Sequence, residues 1–253
     1  MNFEPTSIDG CFETMLYHEG RICLAEAHFE RLGRSLEYLQ WPMPDNLSIQ
    51  TIQNEIISNV KELGLSIDGR LRCRLTISKD IGSHKTDWRL DVSTQVYPSP
   101  HFKLKSINLD DPVFLGSARR CKLTSRDRYF EALNHAKKHG FDDALLTVED
   151  GYVSESCIAN IFWVKEDVYY MPNPTSGQLL GLGIEYFTNV LVSKGYTIVP
   201  GRFKLETILE SDTAWIINSV RGPIPIERID NHEMPVISLI SELIDDLFWR
   251  NIP

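Results

Sequence analysis

A chain of 253 residues with 42% hydrophobic content can bury a substantial core, and this excludes a disordered tail or a fibre. Its formal charge of −9 argues against a general nucleic-acid binder, because phosphate backbones reward clustered Lys and Arg. An enzyme acting on small molecules fits these bounds better than a polyanion-binding or structural protein.

In chain order, Gly10 to Tyr17 alternates like a strand, His18-Glu19-Gly20 supplies a turn, and Arg21 to Leu24 closes a hairpin. From Ala25 to Leu39 the apolar residues Phe29, Leu32, Leu36 and Leu39 recur at helical spacing. A second helix is predicted from Ser48 to Leu63, with Ile49, Ile52, Ile56 and Val60 on one face. Arg70 to Ser78 alternates strictly, and Trp88 to Tyr97 reads as another strand, so the first half resembles a two-layer α/β unit. After a strand near Phe102 to Leu109, the stretch from Asp110 to Arg120 holds Pro112 and Gly116 without periodicity. It reads as a connector, with a domain boundary near residue 115 that divides the chain into 1–115 and 116–253.

The second half opens with a helix from about Ser125 to His139, carrying Tyr129, Phe130, Leu133 and Ala136 inward and stopped by Gly140. Four short strands follow at Ala144–Val148, Tyr152–Ser156, Ile158–Lys165 and Val168–Met171. A helix from Gly181 to Ser193 ends at Gly195. Strands near Tyr196–Val199, Thr213–Asn218 and Ile224–Ile229 precede a closing helix near Val236–Arg250. Cys11, Cys23, Cys73, Cys121 and Cys157 lie far apart, with no CxxC pair and no His at zinc spacing, so the residues predict reduced thiols and no metal. Met1 to Pro5 carries no basic region leading into an apolar run, and about 18 consecutive apolar residues occur nowhere. A cytoplasmic protein without a membrane span is expected.

Lys122 is followed, about thirty residues on, by Gly151-Tyr152-Val153-Ser154-Glu155 and then Ala159-Asn160-Ile161-Phe162. A lysine and a carboxylate without metal ligands suggest an amine that forms a Schiff base with an aldehyde cofactor. Together with Asp9-Gly10-Cys11-Phe12-Glu13-Thr14 and His28-Phe29-Glu30-Arg31-Leu32, these segments in this order resemble the class IV pyridoxal-phosphate aminotransferases. That fold-type IV group contains branched-chain and D-amino-acid aminotransferases and 4-amino-4-deoxychorismate lyases. The resemblance runs from Asp9 to about Asp230. It implies an α/β amino-terminal domain, a barrel-like α/β carboxy-terminal domain, pyridoxal 5′-phosphate held between them, and a homodimer.

What the resemblance implies can be set beside what each residue suggests alone. Lys122 would bind the cofactor aldehyde and then move a proton at the substrate Cα; apart from the resemblance it reads as a solvated lysine at a strand end. Glu155 would face the pyridine nitrogen and favour its protonated form by direct Coulomb attraction, or it is an exposed acid after a hairpin. Arg31 would grip the phosphate through paired guanidinium donors, whereas Arg34 reads as an exposed helical arginine and His28 as a packing or capping residue. Leu182 and Gly183 would offer main-chain N–H groups at a helix start, and Ser219 a hydroxyl. Lys79, Arg126 and Arg221 are candidates for substrate carboxylates, each equally an exposed surface charge. Tyr129 and Trp215 read as core aromatics.

The chain also departs from the family, which commonly has Thr where Gly183 stands and Arg where Ile184 stands. Ser125 replaces a common Asn. Arg126 four residues after the lysine, the Asp9–Phe12 opening and Asn218-Ser219 before the strand with Pro225 resemble the lyase members, and Asp127 stands where branched-chain aminotransferases have Tyr. The implied function is therefore lyase-like, releasing pyruvate from 4-amino-4-deoxychorismate to give 4-aminobenzoate. The alternatives are an aminotransferase for a small branched-chain or D-amino acid and a degenerate, non-catalytic binding or scaffold protein.

Overall fold

The computed structural model describes residues 10–79, 85–96, 99–109, 121–250 and 252–253. These fall into two compact units: one runs up to Val96 and takes in 121–126 and Pro253, and the other comprises the remaining described residues.

The first unit is built on a four-stranded antiparallel sheet of order β2-β1-β3-β4, from β1 (Gly10–His18), β2 (Arg21–Ile22), β3 (Leu71–Lys79) and β4 (Thr86–Thr94). Alternation decides its faces. In β3, Leu71, Cys73, Leu75 and Ile77 are buried while Arg72, Arg74 and Thr76 between them are half-buried. Cys11, Glu13, Met15 and Tyr17 of β1 pair with Ile77, Leu75, Cys73 and Leu71, so Glu13 lies on the apolar face. Helix α1 (Ala25–Leu39) and helix α2 (Ile49–Leu63) share one apolar cluster with that face. In α2, Ile52, Ile56 and Val60 are buried at one-turn spacing, each isoleucine contributing roughly 1.5–3 kcal/mol on burial. Ser48 caps α2 by accepting the Thr51 N–H at 3.1 Å.

The second unit holds nine strands: β5 (Phe102–Asn108), β6 (Asp143–Val148), β7 (Tyr152–Ser156), β8 (Asn160–Lys165), β9 (Val168–Pro172), β10 (Ile198–Gly201), β11 (Thr213–Asn218), β12 (Gly222–Ile229) and β13 (His232–Glu233). Their order is β10-β9-β8-β11-β12-β5-β6-β7, with β13 on β12. β7 ends that order, yet it passes into β8 through a tight turn closed by Ser156 N–H donating to the Ala159 carbonyl at 2.8 Å. A strand at the end of the order thus runs straight into an interior one, so the sheet curls into the expected barrel-like form. Helix α3 (Asp127–Lys138) connects the parallel pair β5 and β6, and helix α4 (Leu182–Ser193) connects the parallel pair β9 and β10. A short helix α5 (Leu205–Leu209) and the closing helix α6 (Ser238–Trp249) complete the unit.

Several expectations need correction. Phe130 is 54% exposed; the buried stripe of α3 is Tyr129, Ala132 and Ala136, which are three and four residues apart. Ile158 belongs to the β7–β8 turn, β4 begins at Thr86, and β10 begins two residues later than predicted. The helix α5 was not foreseen, because five residues carry too little periodicity. The boundary near residue 115, like Asp9, lies outside the described residues. On either side of it, β5 pairs with β6 and β12 of the second unit, whereas Lys122 lies with the first.

Candidate active site

Two clusters, one in each unit, hold the residues singled out from the sequence. In the first unit the segment carrying Lys122 runs beside β1: Phe12 N–H donates to the Lys122 carbonyl at 2.8 Å and Thr124 N–H to the Gly10 carbonyl at 3.0 Å. Gly10 permits the close approach on its other side, since a Cβ there would stand 2.1 Å from the Ile77 carbonyl oxygen. Lys122 N–H also donates to Ser35 Oγ at 3.2 Å, which ties the segment to α1.

Helix α1 turns a mixed stripe inward, with His28, Arg31 and Ser35 buried among Ala25, Leu32 and Leu36. The polar members are matched by Glu13. Arg31 donates from Nε to Glu13 Oε1 at 2.8 Å and from Nη2 to Oε2 at 2.6 Å, and His28 Nδ1 lies 2.7 Å from Oε2. Burial alone would raise the Glu13 carboxyl, but the Arg31 guanidinium and His28 hold it well below the usual carboxylate range. Burial pushes the His28 imidazole down despite Glu13. A neutral ring beside an ionised Glu13 donates from Nδ1, which leaves His28 Nε2 buried without a hydrogen-bond partner.

Lys122 is half-buried in this setting. Burial, then the positive charges of Arg31, Arg126 and Arg74, push its ammonium down to about 7, against the pull of Glu13. Its Nζ lies 5.0 Å from the centre of the Phe12 ring, and the Arg74 guanidinium covers the same ring at 3.9 Å. An amine that is about half neutral near pH 7 is a nucleophile and a base; an ordinary surface lysine, almost wholly protonated there, is neither.

In the second unit, the buried Glu155 lies on β7. Its Oε1 accepts from Tyr129 Oη at 2.5 Å and from Leu179 N–H at 3.1 Å, and Asn160 Nδ2 lies 3.5 Å from Oε2. Asn160 also donates to Gln178 Oε1 at 3.1 Å and to the Leu179 carbonyl at 2.9 Å. Gly181 precedes α4 without a side-chain cap, and a Cβ on it would stand 1.9 Å from Asn160 Oδ1.

The start of α4 meets the turn after β11. A Cβ at Gly183 would lie 2.6 Å from the Asn218 carbonyl carbon and 2.7 Å from Ser219 N, so the Thr common in the family cannot stand here without backbone movement. Leu182 and Ser219 are buried on the two sides of this contact. Asn218 Oδ1 accepts the N–H groups of Val220 at 3.0 Å and Arg221 at 2.9 Å, and this shapes the turn.

The remaining predicted residues fall differently. Arg31 is ion-paired with Glu13, a partner that alternation on β1 would have identified: Glu13 shares the face of Cys11, Met15 and Tyr17. Lys79 ends β3, half-buried. Arg126 acts on Lys122 through its charge, and the Arg221 guanidinium lies 5.9 Å from the centre of the Phe102 ring. Arg34 is an exposed partner of Glu30, and Trp215 is a core aromatic stacked on Phe162. The sequence reading missed the roles of Glu13, Arg74, Asn160 and the Tyr129 hydroxyl. Among the described residues no group of three or more His, Cys, Asp and Glu could hold a metal, and no helix is long and apolar enough to cross a membrane.

The family model described as amino-transferase class IV matches residues 10–229. The chain is 30% identical over 237 residues to the aminodeoxychorismate lyase of Bacillus subtilis (strain 168), covering 87% of this chain and 78% of the relative. It is 24% identical over 260 residues to the bifunctional aminodeoxychorismate lyase / D-amino acid transaminase of Mycobacterium tuberculosis, covering 94% and 88%. Among solved structures, the fold IV-transaminase CpuTA1 from Curtobacterium pusillum superposes with a TM-score of 0.85 at 21% identity, covering 97% of this chain and 88% of that one.

Proposed function

The chain belongs to the class IV aminotransferase family of pyridoxal-phosphate enzymes, and from that premise we propose that it acts as a 4-amino-4-deoxychorismate lyase. In this reading it removes pyruvate from the substrate and leaves 4-aminobenzoate. The similarity to the lyase of Bacillus subtilis supports the substrate assignment, and the residues fit the cofactor. An amine held near neutrality, a buried hydrogen-bonded carboxylate and a helix start packed against Asn218–Ser219 are the three kinds of group that an aldehyde, a pyridine nitrogen and a phosphate require.

When bound, pyridoxal phosphate supplies an electron sink for the pair left at the substrate Cα. Lys122 would anchor the cofactor through Nζ and, once displaced by the substrate amine, take the proton from the substrate Cα with the same nitrogen. Glu155 would face the pyridine nitrogen, where its negative charge favours the protonated ring. Leu182 and Gly183 would donate N–H groups to the phosphate and Ser219 its hydroxyl. Arg31 would add a phosphate contact while held in place by Glu13.

The observation that carries the choice of substrate beyond the sequence similarity is the charge around Lys122. Beside the Arg31–Glu13 pair, the charges of Arg74 and Arg126 act on its amine, which suits a substrate with two carboxylates. Arg126 is the substrate-binding candidate that this observation favours, while Lys79 and Arg221 stand on their positions alone. The second reading, an aminotransferase for small amino acids, is favoured by the similarity to the bifunctional Mycobacterium tuberculosis protein. We read the protein as a cytoplasmic homodimer on the family resemblance, with domains 1–115 and 116–253 as the corresponding division.

Supplying 4-amino-4-deoxychorismate and measuring pyruvate and 4-aminobenzoate, in parallel with D- and branched-chain amino acids plus 2-oxoglutarate, tests the proposal. Equal amounts of the two products from the first mixture are expected. Amino transfer in the second mixture with no product in the first would replace the lyase by the transaminase.

A further inference from the structure

We propose that Tyr129 is a positioning residue for the cofactor's ring nitrogen, acting through Glu155. The inference rests on the reading of Glu155 given above and gives a second role to a core aromatic.

The geometry is specific. Tyr129 is 3% exposed and sits in the first turn of α3, where its ring packs in an apolar cluster with Leu109, Leu146 and Cys157. A phenol buried in apolar surroundings needs a partner for its O–H, and here the hydroxyl donates to Glu155 Oε1 at 2.5 Å. A phenol donating to a carboxylate makes a hydrogen bond of the charge-assisted kind, stronger than one between neutral groups. Leu179 N–H converges on the same oxygen from the loop before α4, so Oε1 is fixed by donors from two different elements. The carboxyl plane is thereby set from behind, and Tyr129 and Leu179 determine how the remaining face of Glu155 is presented.

A fixed carboxylate does two things for a ring nitrogen. It keeps the ion pair at constant geometry while charge moves on the ring, and it divides the negative charge between its oxygens according to the donors on each. Removing the Tyr129 hydroxyl would leave Glu155 freer to rotate and more basic, so that it would draw the shared proton off the ring nitrogen toward its own oxygen, and the ring's protonation and absorption would change. A phenol that served only to fill the core would have no such effect, since Tyr→Phe keeps the ring and its packing.

The experiment compares the holoprotein with its Tyr129→Phe, Glu155→Gln and doubly substituted forms. The readouts are the absorption spectrum of the bound cofactor across pH and the separate kcat and KM values. Borohydride reduction and peptide mapping first establish that each form carries the cofactor on Lys122. We expect Tyr129→Phe to shift the absorption bands in the same direction as Glu155→Gln but less far. Its kcat should fall about tenfold, as for one charge-assisted hydrogen bond, with KM changed less than about twofold. The double form should match Glu155→Gln alone, as a residue that acts through Glu155 requires. If Tyr129→Phe folds poorly, 3-fluorotyrosine at position 129 keeps the packing with a more acidic donor, and it should move the bands in the direction opposite to Glu155→Gln. A wild-type spectrum in the Tyr129 variants while Glu155→Gln shifts it, or additive effects in the double form, would overturn the inference and leave the role of Glu155 intact. No shift in Glu155→Gln itself would overturn both.

Discussion

The depressed pKa of Lys122 carries a prediction that can be measured on the cofactor-free protein. An ordinary lysine near 10.5 is neutral at pH 7 in only about 3 molecules in ten thousand, whereas a lysine near 7 is neutral in about half, roughly a 1,600-fold gain in reactive amine. The gain comes from burial first and then from Arg31, Arg126 and Arg74, with Glu13 opposing. Trace acetylation from about pH 5 to pH 11, with quantitation of the Lys122 peptide by mass spectrometry, reads the midpoint directly. Lys122 should become reactive about 3.5 pH units before the bulk lysines do, the difference between its two values. Arg74→Met and Arg126→Met should each move the midpoint up, because each removes a like charge. Loading with pyridoxal phosphate should rise through pH 7 and level off above it. A midpoint close to that of the other lysines, unmoved by either substitution, would refute the account of how the amine is activated.

Four further outcomes follow from the geometry. Glu13→Gln leaves Arg31 and His28 without their buried anion and should cost about 3–5 kcal/mol in denaturant unfolding, while lowering the Lys122 midpoint further because a counter-charge is lost. Gly183→Ala forces a methyl to 2.6 Å from the Asn218 carbonyl carbon and should cost about 1–3 kcal/mol with weakened cofactor binding. Gly33→Ala, in α1 with open space around the added methyl, should instead stabilise by up to about 1 kcal/mol, so thermal melts of the pair separate crowding from helix propensity. Glu155→Gln should keep the cofactor on Lys122 but slow proton removal from the substrate Cα, read as slower exchange of that proton with deuterated solvent; unchanged exchange would remove Glu155 from the chemistry.

Much of the fold was legible because its elements are amphipathic. The strict alternation of Leu71, Cys73, Leu75 and Ile77, and the one-turn spacing of Ile52, Ile56 and Val60, mark a half-buried strand and a half-buried helix without any tertiary knowledge. β6 and β8 were found despite lacking alternation, since five or more buried residues in a row between turn signals leave few other readings. The pairing of β5 with β6 and β12 was not legible, because a strand's partners depend on contacts distant in sequence. Phe130 was misplaced by one residue of helical phase, the distance between the buried Tyr129 and the exposed face of α3.

The candidate site was legible as a set of residue types in order, but its supporting contacts were not. Lys122 and Glu155 could be singled out, yet nothing local announces that Arg74 and Arg126 act on Lys122 or that Tyr129 reaches Glu155. Glu13 is the instructive exception. A carboxylate on the apolar side of an alternating strand is costly unless paired, and His28, Arg31 and Ser35 interrupt the buried stripe of α1 in the same way. Polar residues at core positions on two neighbouring elements predict each other, and that pattern was available from the sequence.

The central claim is that the side-chain nitrogen of Lys122 carries the cofactor. Incubating the protein with pyridoxal phosphate, reducing with borohydride and mapping the modified peptide tests it in one step. The account predicts one added phosphopyridoxyl group per chain, on Lys122, lost in Lys122→Met. A label spread over surface lysines, or no stable uptake of the cofactor, would contradict it.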